Sequence, residues 1–244
     1  MKLIIIAAGQ GSRLRTITHG TPKSLSKVHG YTIIDTLLRN CKLNNIKDIV
    51  IVTGYNSDLM KNYLKDSWAD LNIEFIYNEL WHLENGLSVL TAKDVIPKNQ
   101  EFLISMSDHL YFSDLLEKVI NSDLSKYLVN VGVDLKIDSI FDIDDGMKLK
   151  FSSKDSSITA MSKKLHSYNA IDVGLFKCNY KFFDYLTKAN KKNKCSLSNA
   201  CNELILDGSL GGVDIANSYW LDIDTPEALN HARNDLALKL KFKN

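Results

Sequence analysis

The chain has 244 residues, with Lys+Arg 30 against Asp+Glu 29 and a formal net charge of +1. That balance leaves no global field for nucleic acid or a membrane surface, so any anion recognition must be local. A hydrophobic share of 45%, a charged share of 24%, 3 prolines and 12 glycines suit one large globular domain without low-complexity linkers. No apolar run approaches the roughly 20 residues a membrane helix needs, so no membrane insertion is expected. The four cysteines, Cys41, Cys178, Cys195 and Cys201, form no C-x-x-C spacing, which argues against a zinc site or a disulfide framework and fits a cytoplasmic protein. The short apolar N-terminus does not read as a signal peptide.

In chain order, Lys2 to Ala8 reads as an apolar strand that runs into Gly9-Gln10-Gly11-Ser12-Arg13-Leu14, followed by Thr21-Pro22-Lys23-Ser24-Leu25. Glycines let the backbone approach an anion, with successive N–H groups aimed at it. Arg13 can fork two phosphate oxygens, and Lys23 adds a mobile point charge. The loop is not the dinucleotide fingerprint, because Leu14 stands where the third glycine belongs, and no Gly-Lys-Ser/Thr makes it a Walker loop. The glycines alone would also suit an ordinary strand-to-helix turn.

Ile33 to Cys41 has helical apolar spacing, and 47–52 is a buried strand leaving through Thr53-Gly54. A helix over 58–64, a strand over 73–77, a helix over 86–95 and a strand over 102–106 follow. This alternation predicts an α/β fold: a doubly wound, mostly parallel, Rossmann-like sheet flanked by helices. Ligands of such sheets sit beyond the carboxyl ends of the strands, where the glycine loop, Gly54, Asn78 and Asp108 all fall. Strands over 127–133, 147–151 and 171–176 predict a mixed or antiparallel extension in the second half, with a turn at Asp144-Asp145-Gly146. Helices are expected over 180–188 and 197–206, a short strand over 220–225, and one final helix over 227–240, capped by Thr225 with Pro226 at its first position. No boundary divides the chain, which is expected to be a single domain over 1–244.

Three carboxylates carry chemistry. Asp108 ends a buried strand, and Asp222 and Asp224 share one side of Trp220-Leu221-Asp222-Ile223-Asp224. Clustered acids repel unless a cation lies between them, and magnesium takes one or two carboxylates plus substrate phosphates. Asp108 and Asp222 are the expected Mg2+ pair; Asp224 is a further candidate that a helix start would equally favour. Asn85 and Ser88, around Gly86, are candidate nucleotide contacts or simple helix caps.

The pairing of Ala8-Gly9-x-Gly11-Ser12-Arg13-Leu14 with Pro22-Lys23-x-Leu25 resembles the opening of the sugar-phosphate nucleotidyltransferases. Glu84-Asn85-Gly86-x-Ser88, Ser107-Asp108-His109-x-Tyr111 and Ile171-Asp172-Val173-Gly174 narrow the likeness to CTP:inositol-1-phosphate cytidylyltransferases, from Met1 to about Arg233. Ser107 and Ser162 depart from it, since that family more often has glycine there. The resemblance implies CTP and a phosphorylated small-molecule acceptor as partners, and Mg2+ as cofactor. It implies Lys23 and Arg13 as catalytic, with Ala8, Gly9, Gly11, Ser12, Asn85, Gly86 and Ser88 on the nucleotide. Asp108, Asp222 and Asp224 would face the metal, and Lys163, Asn169 and Asp172 the acceptor. Residues 1–125 or so would be the NTP-binding half and 126–235 or so the acceptor-binding half. Left open are a phosphocholine, 2-aminoethylphosphonate or sugar-1-phosphate acceptor, a nucleotide-sensing module without turnover, and a homodimer. For an amine acceptor, Trp81, Tyr168, Tyr219 and Trp220 would be the aromatic cage.

Overall fold

Strand β1 (Lys2–Ala7) carries Leu3, Ile4 and Ile5 with no exposed surface, because it lies between two parallel partners with apolar packing on both faces. Such a strand reads as a continuous apolar run. The computed structural model describes residues 1–65 and 67–242. After β1 come α1 (Arg15–Thr18), β2 (Lys27–Val28), β3 (Tyr31–Thr32), α2 (Ile33–Leu43), β4 (Asp48–Thr53), α3 (Ser57–Leu64), β5 (Asn72–Tyr77), α4 (Asn85–Thr91) and β6 (Phe102–Met106). Then follow β7 (His109–Tyr111), α5 (Ser113–Ile120), β8 (Val129–Asp134), β9 (Lys148–Ser152), β10 (Ser157–Ser162), β11 (Ala170–Cys178), α6 (Phe182–Lys191), α7 (Leu197–Leu206), β12 (Leu210–Asp214), β13 (Trp220–Asp222), α8 (Pro226–Asn234) and α9 (Leu236–Lys241).

The main sheet has nine strands in the order β5-β4-β1-β6-β11-β8-β12-β10-β9. Strands β5, β4, β1 and β6 are parallel, as expected of a doubly wound half. Strand β11 runs antiparallel to both β6 and β8, β12 is parallel to β8, and β9 and β10 close the edge as an antiparallel pair, so the extension is mixed. The sequence reading missed β10 and β12, since β10 buries only Ile158 and Met161 and two glycines thin β12. The final helix also differs. It breaks at Asp235, whose carboxylate accepts from the Leu238 N–H at 3.0 Å and starts α9. Thr225 does cap α8, accepting from the Ala228 N–H at 3.1 Å.

Beyond the carboxyl end of β6, β7 and β13 form a separate antiparallel ribbon that pairs Trp220 with Tyr111, Leu221 with Leu110 and Asp222 with His109. Helix α2 supports it. The buried Asn40 amide donates to the Tyr111 carbonyl at 2.7 Å. Replacing Asn40 by alanine leaves that buried carbonyl unpaired, which costs about 1–3 kcal/mol. Urea unfolding of Asn40→Ala is expected to show an unfolding free energy lowered by that amount and an earlier midpoint; an unchanged midpoint would contradict the role of this bond.

Candidate active site

The glycine loop is set on the stem of Lys23. Ala8 is buried and its carbonyl accepts from the Tyr55 N–H at 3.0 Å, which ties the loop to the end of β4. Gly11 turns the chain with φ 61, in the left-handed region where glycine is favoured, and a Cβ there would lie 3.2 Å from the Lys23 side chain. Ser12–Leu14 is one tight helical turn, anchored by the buried Leu14, and leaves Arg13 exposed. Gly9 faces open space. The Lys23 ammonium pairs with both Asp108 and Asp224.

Asp108 is buried, and its other oxygen accepts from Nδ1 of His109 at 2.8 Å. The β7–β13 register sets Asp222 opposite His109, with Oδ1 at 3.9 Å from Nδ1. That Asp222 oxygen has no hydrogen-bond partner among the described residues although it is buried. Burial works against a charged imidazole, but Asp222, Asp108 and Asp172 outweigh it and push His109 up to about 9. Burial likewise opposes ionisation of Asp108, yet Lys23 and His109 hold it well below the usual carboxylate range. Asp222 shifts the other way, raised by burial and by the like charges of Asp108 and Asp224. Asp108 and Asp222 stand close enough to share a divalent cation through carboxylate oxygens, with Asp224 and Asp145 next in reach. The orphaned Asp222 oxygen fits that use.

A cavity of 420 Å³ opens beside these carboxylates. Lys23, Asn85, Lys163, Asp172, Asp222 and Asp224 all line it. Lys163 sits across from the loop and donates to Asp145 at 2.8 Å; Arg13 donates to the other Asp145 oxygen, also at 2.8 Å, and pairs with Asp224. Asp145 therefore bridges Arg13 and Lys163, a contact that sequence reasoning missed because an Asp-Asp-Gly run reads as a solvated turn. Asp172 accepts from the Gly174 N–H at 2.8 Å, and burial raises it to about 6.

Some expected residues are placed elsewhere. Asn169 is not brought to the cavity: its amide is spent on Phe151, donating to the carbonyl and accepting from the N–H, both at 2.8 Å. Ser88 is buried and accepts from the Asn78 amide at 3.0 Å, and Gly86 packs on the Cys195 carbonyl, where a Cβ would come within 2.5 Å. Asn85 lines the cavity while its side-chain oxygen accepts from the Leu197 N–H at 2.9 Å. The four aromatics do not form a cage. Trp220 lines the cavity, but Trp81 stands against Tyr55, Tyr168 under Lys148 and Tyr219 against Phe112.

A glycine loop with Lys23 and Arg13, facing acidic strand ends across a mixed sheet, belongs to enzymes that transfer a nucleotidyl group. Residues 2–138 match the family model described as Nucleotidyl transferase, and the chain belongs to that family. It is 28% identical, over 96% of its length, to the bifunctional IPC transferase and DIPP synthase of Aquifex aeolicus, and spans 51% of that protein. It is 31% identical to the CTP:phosphoglutamine cytidylyltransferase of Campylobacter jejuni, over 75% of this chain and 74% of that one. The inositol-1-phosphate CTP transferase of T. maritima shares the fold, with a TM-score of 0.82 at 20% identity and 96% of each chain covered. All four cysteines are free, and no helix among the described residues is long and apolar enough to cross a membrane.

The buried charges make stability depend on pH in a definite direction. His109, Asp172 and Asp222 are all raised, so the folded chain holds protons that the unfolded chain has released, and stability falls as pH rises. For His109 the contribution is complete below its ordinary value of 6.5 and lost as pH passes about 9. The ligand-free protein is expected to lose roughly 1–3 kcal/mol between pH 7 and about 9.5, read as a falling thermal midpoint. A midpoint that stays level or rises over that window would contradict the buried imidazolium.

Proposed function

We propose that the chain is a cytidylyltransferase that joins CTP to inositol 1-phosphate, forming CDP-inositol and releasing pyrophosphate. The observation that carries this reading is the Lys23 ammonium, held between Asp108 and Asp224 at the mouth of a cavity whose far side offers Lys163 and Asp172. Membership of the nucleotidyl transferase family supports the reaction class. The printed names of the Aquifex aeolicus relative and the T. maritima structure support the substrates. In this reading residues 1–125 or so serve the nucleotide and 126–235 or so the acceptor, and the protein works in the cytoplasm. The reading does not require a second copy of the chain and leaves a homodimer open.

An acceptor phosphate oxygen attacks the α-phosphorus of CTP, the bond to the β-phosphate oxygen breaks, and pyrophosphate carries away that electron pair. No side-chain nucleophile is needed, so catalysis consists of positioning and charge neutralisation. Lys23 contacts the α-phosphate. Arg13 and the backbone from Ala8 to Ser12 hold the β- and γ-phosphates, with Asn85 on the nucleotide side and the packed Gly86 and buried Ser88 fixing the start of its helix. Lys163 takes the acceptor phosphate and Asp172 a ring hydroxyl, while Asn169 braces β9 beneath them. Magnesium fits Asp108 and Asp222, with Asp224 adjacent, and when bound it supplies neutralisation of the triphosphate charge.

Lys23→Ala is expected to lower kcat by about 10²-fold, as for one positioned electrostatic group. Near-normal turnover in the folded variant would contradict the assignment. EDTA should abolish activity reversibly, and Asp108→Asn and Asp222→Asn should each raise the magnesium requirement, since each loses an anionic ligand oxygen. An unchanged magnesium curve in Asp222→Asn would shift the second ligand to Asp224.

An amine acceptor is the second reading, favoured by Trp220 and Phe141 on the cavity wall together with Asp172. Competition among inositol 1-phosphate, phosphocholine and 2-aminoethylphosphonate decides between them by kcat/KM. The polyol should win, and Asp172→Ala should impair it by leaving hydroxyls unpaired. A clear preference for either amine reverses the assignment.

A further inference from the structure

His109 touches both halves of the site. One face of its ring stacks on the Trp220 indole, with centroids 5.7 Å apart and planes at 12°, and the indole is itself pinned by a 2.8 Å bond to Asp134. The other side meets Gly174, where an added Cβ would fall 2.7 Å from the ring. Gly174 lies in the register shift of β11 between Asp172 and Phe176, with φ 73, so the strand that carries Asp172 bends around this ring. A buried histidine pairs its ring nitrogens with backbone carbonyls or carboxylates. This one spends Nδ1 on the Asp108 carboxylate and faces the cavity.

The two oxygens of Asp108 are held by different groups, Oδ1 by His109 and Oδ2 by Lys23. Lys23 is shared with Asp224, and in the function proposed above it moves to the α-phosphate. Among the described residues His109 is then the one side chain left to orient Asp108. We propose that His109 is a positioning residue of the nucleotidyl transfer: its Nδ1–H, fixed by the Trp220 and Gly174 walls, sets the Asp108 carboxylate toward the reacting phosphates. This rests on the proposed reaction, and it assigns the ring to alignment of Asp108 rather than to contact with substrate.

Two variants of similar polarity separate positioning from packing. In His109→Asn the side-chain N–H follows the same bonds as Nδ1, whereas His109→Gln fills more of the space but carries its N–H near the Nε2 position. Positioning predicts that the asparagine variant keeps kcat within about fivefold of wild type, while the glutamine variant loses about 10–100-fold with the KM for CTP nearly unchanged. Manganese binding, followed by electron paramagnetic resonance without substrates, should weaken about tenfold in the glutamine variant and stay close to wild type in the asparagine variant. Equal losses in both variants, or a better glutamine variant, would overturn the proposal, as would failure of both to fold by circular dichroism, because the ring would then serve the core. Absent wild-type turnover with every acceptor tried would count against the proposed reaction, and the manganese comparison would still decide the role of His109.

Discussion

Carboxylate repulsion is the constraint on which the site depends. Asp108, Asp145, Asp172, Asp222 and Asp224 all line one cavity. Left alone, such a cluster would drive the strand ends apart or stay protonated. The fold supplies a cation for each direction of approach: Lys23 from the glycine loop, Arg13 one turn earlier, Lys163 beyond β10 and His109 on the ribbon. The upward shift of Asp222 marks where this compensation is incomplete, and its buried oxygen, without a partner among the described residues, lies at the same spot.

The first half of this arrangement was legible in the sequence because a buried parallel strand and the turn that leaves it are both local signals. KLIIIA followed by two glycines, and FLISM followed by Ser107-Asp108, announce strand ends where ligands collect. Asp108 and Asp222 were paired in the sequence reading by their chemistry and the family resemblance, whereas the ribbon that joins them was only half legible, because the three residues of β7 leave almost no periodicity to read. The Asp145 bridge and the spent amide of Asn169 were not legible at all, since both follow from contacts between distant segments. The same holds for the aromatics, which cluster in sequence near site residues but pack in four separate places.

The ion pairs also describe how substrates would enter. Asp145 and Asp224 occupy, with carboxylate oxygens, the cations that the proposed reaction assigns to phosphates. The pairs of Arg13 and Lys163 are partly exposed, and such pairs contribute only about 0–1 kcal/mol each. A triphosphate, with more charge and oxygens spaced for forked donors, would displace them without unfolding any element. The Lys23–Asp108 contact differs, because both partners are largely shielded from water, so Lys23 can turn to the α-phosphate only while that phosphate takes up its charge and His109 still pairs Asp108.

That difference orders the site's groups by how freely they can be rearranged. Arg13, Lys163 and Asp145 form an outer, exchangeable set, and Lys23 is intermediate because Asp224 shares it. The inner set is Asp108 and His109, walled by Trp220 and the glycine bend of β11. A transfer reaction that relies on positioning needs such a gradient. Outer cations must release their carboxylates to accept phosphates, while the inner carboxylate keeps its orientation as charge moves past it. The β7–β13 ribbon and the Asn40 bond beneath it hold the inner set in place, which links the buried face of α2 to the chemistry proposed on that ribbon.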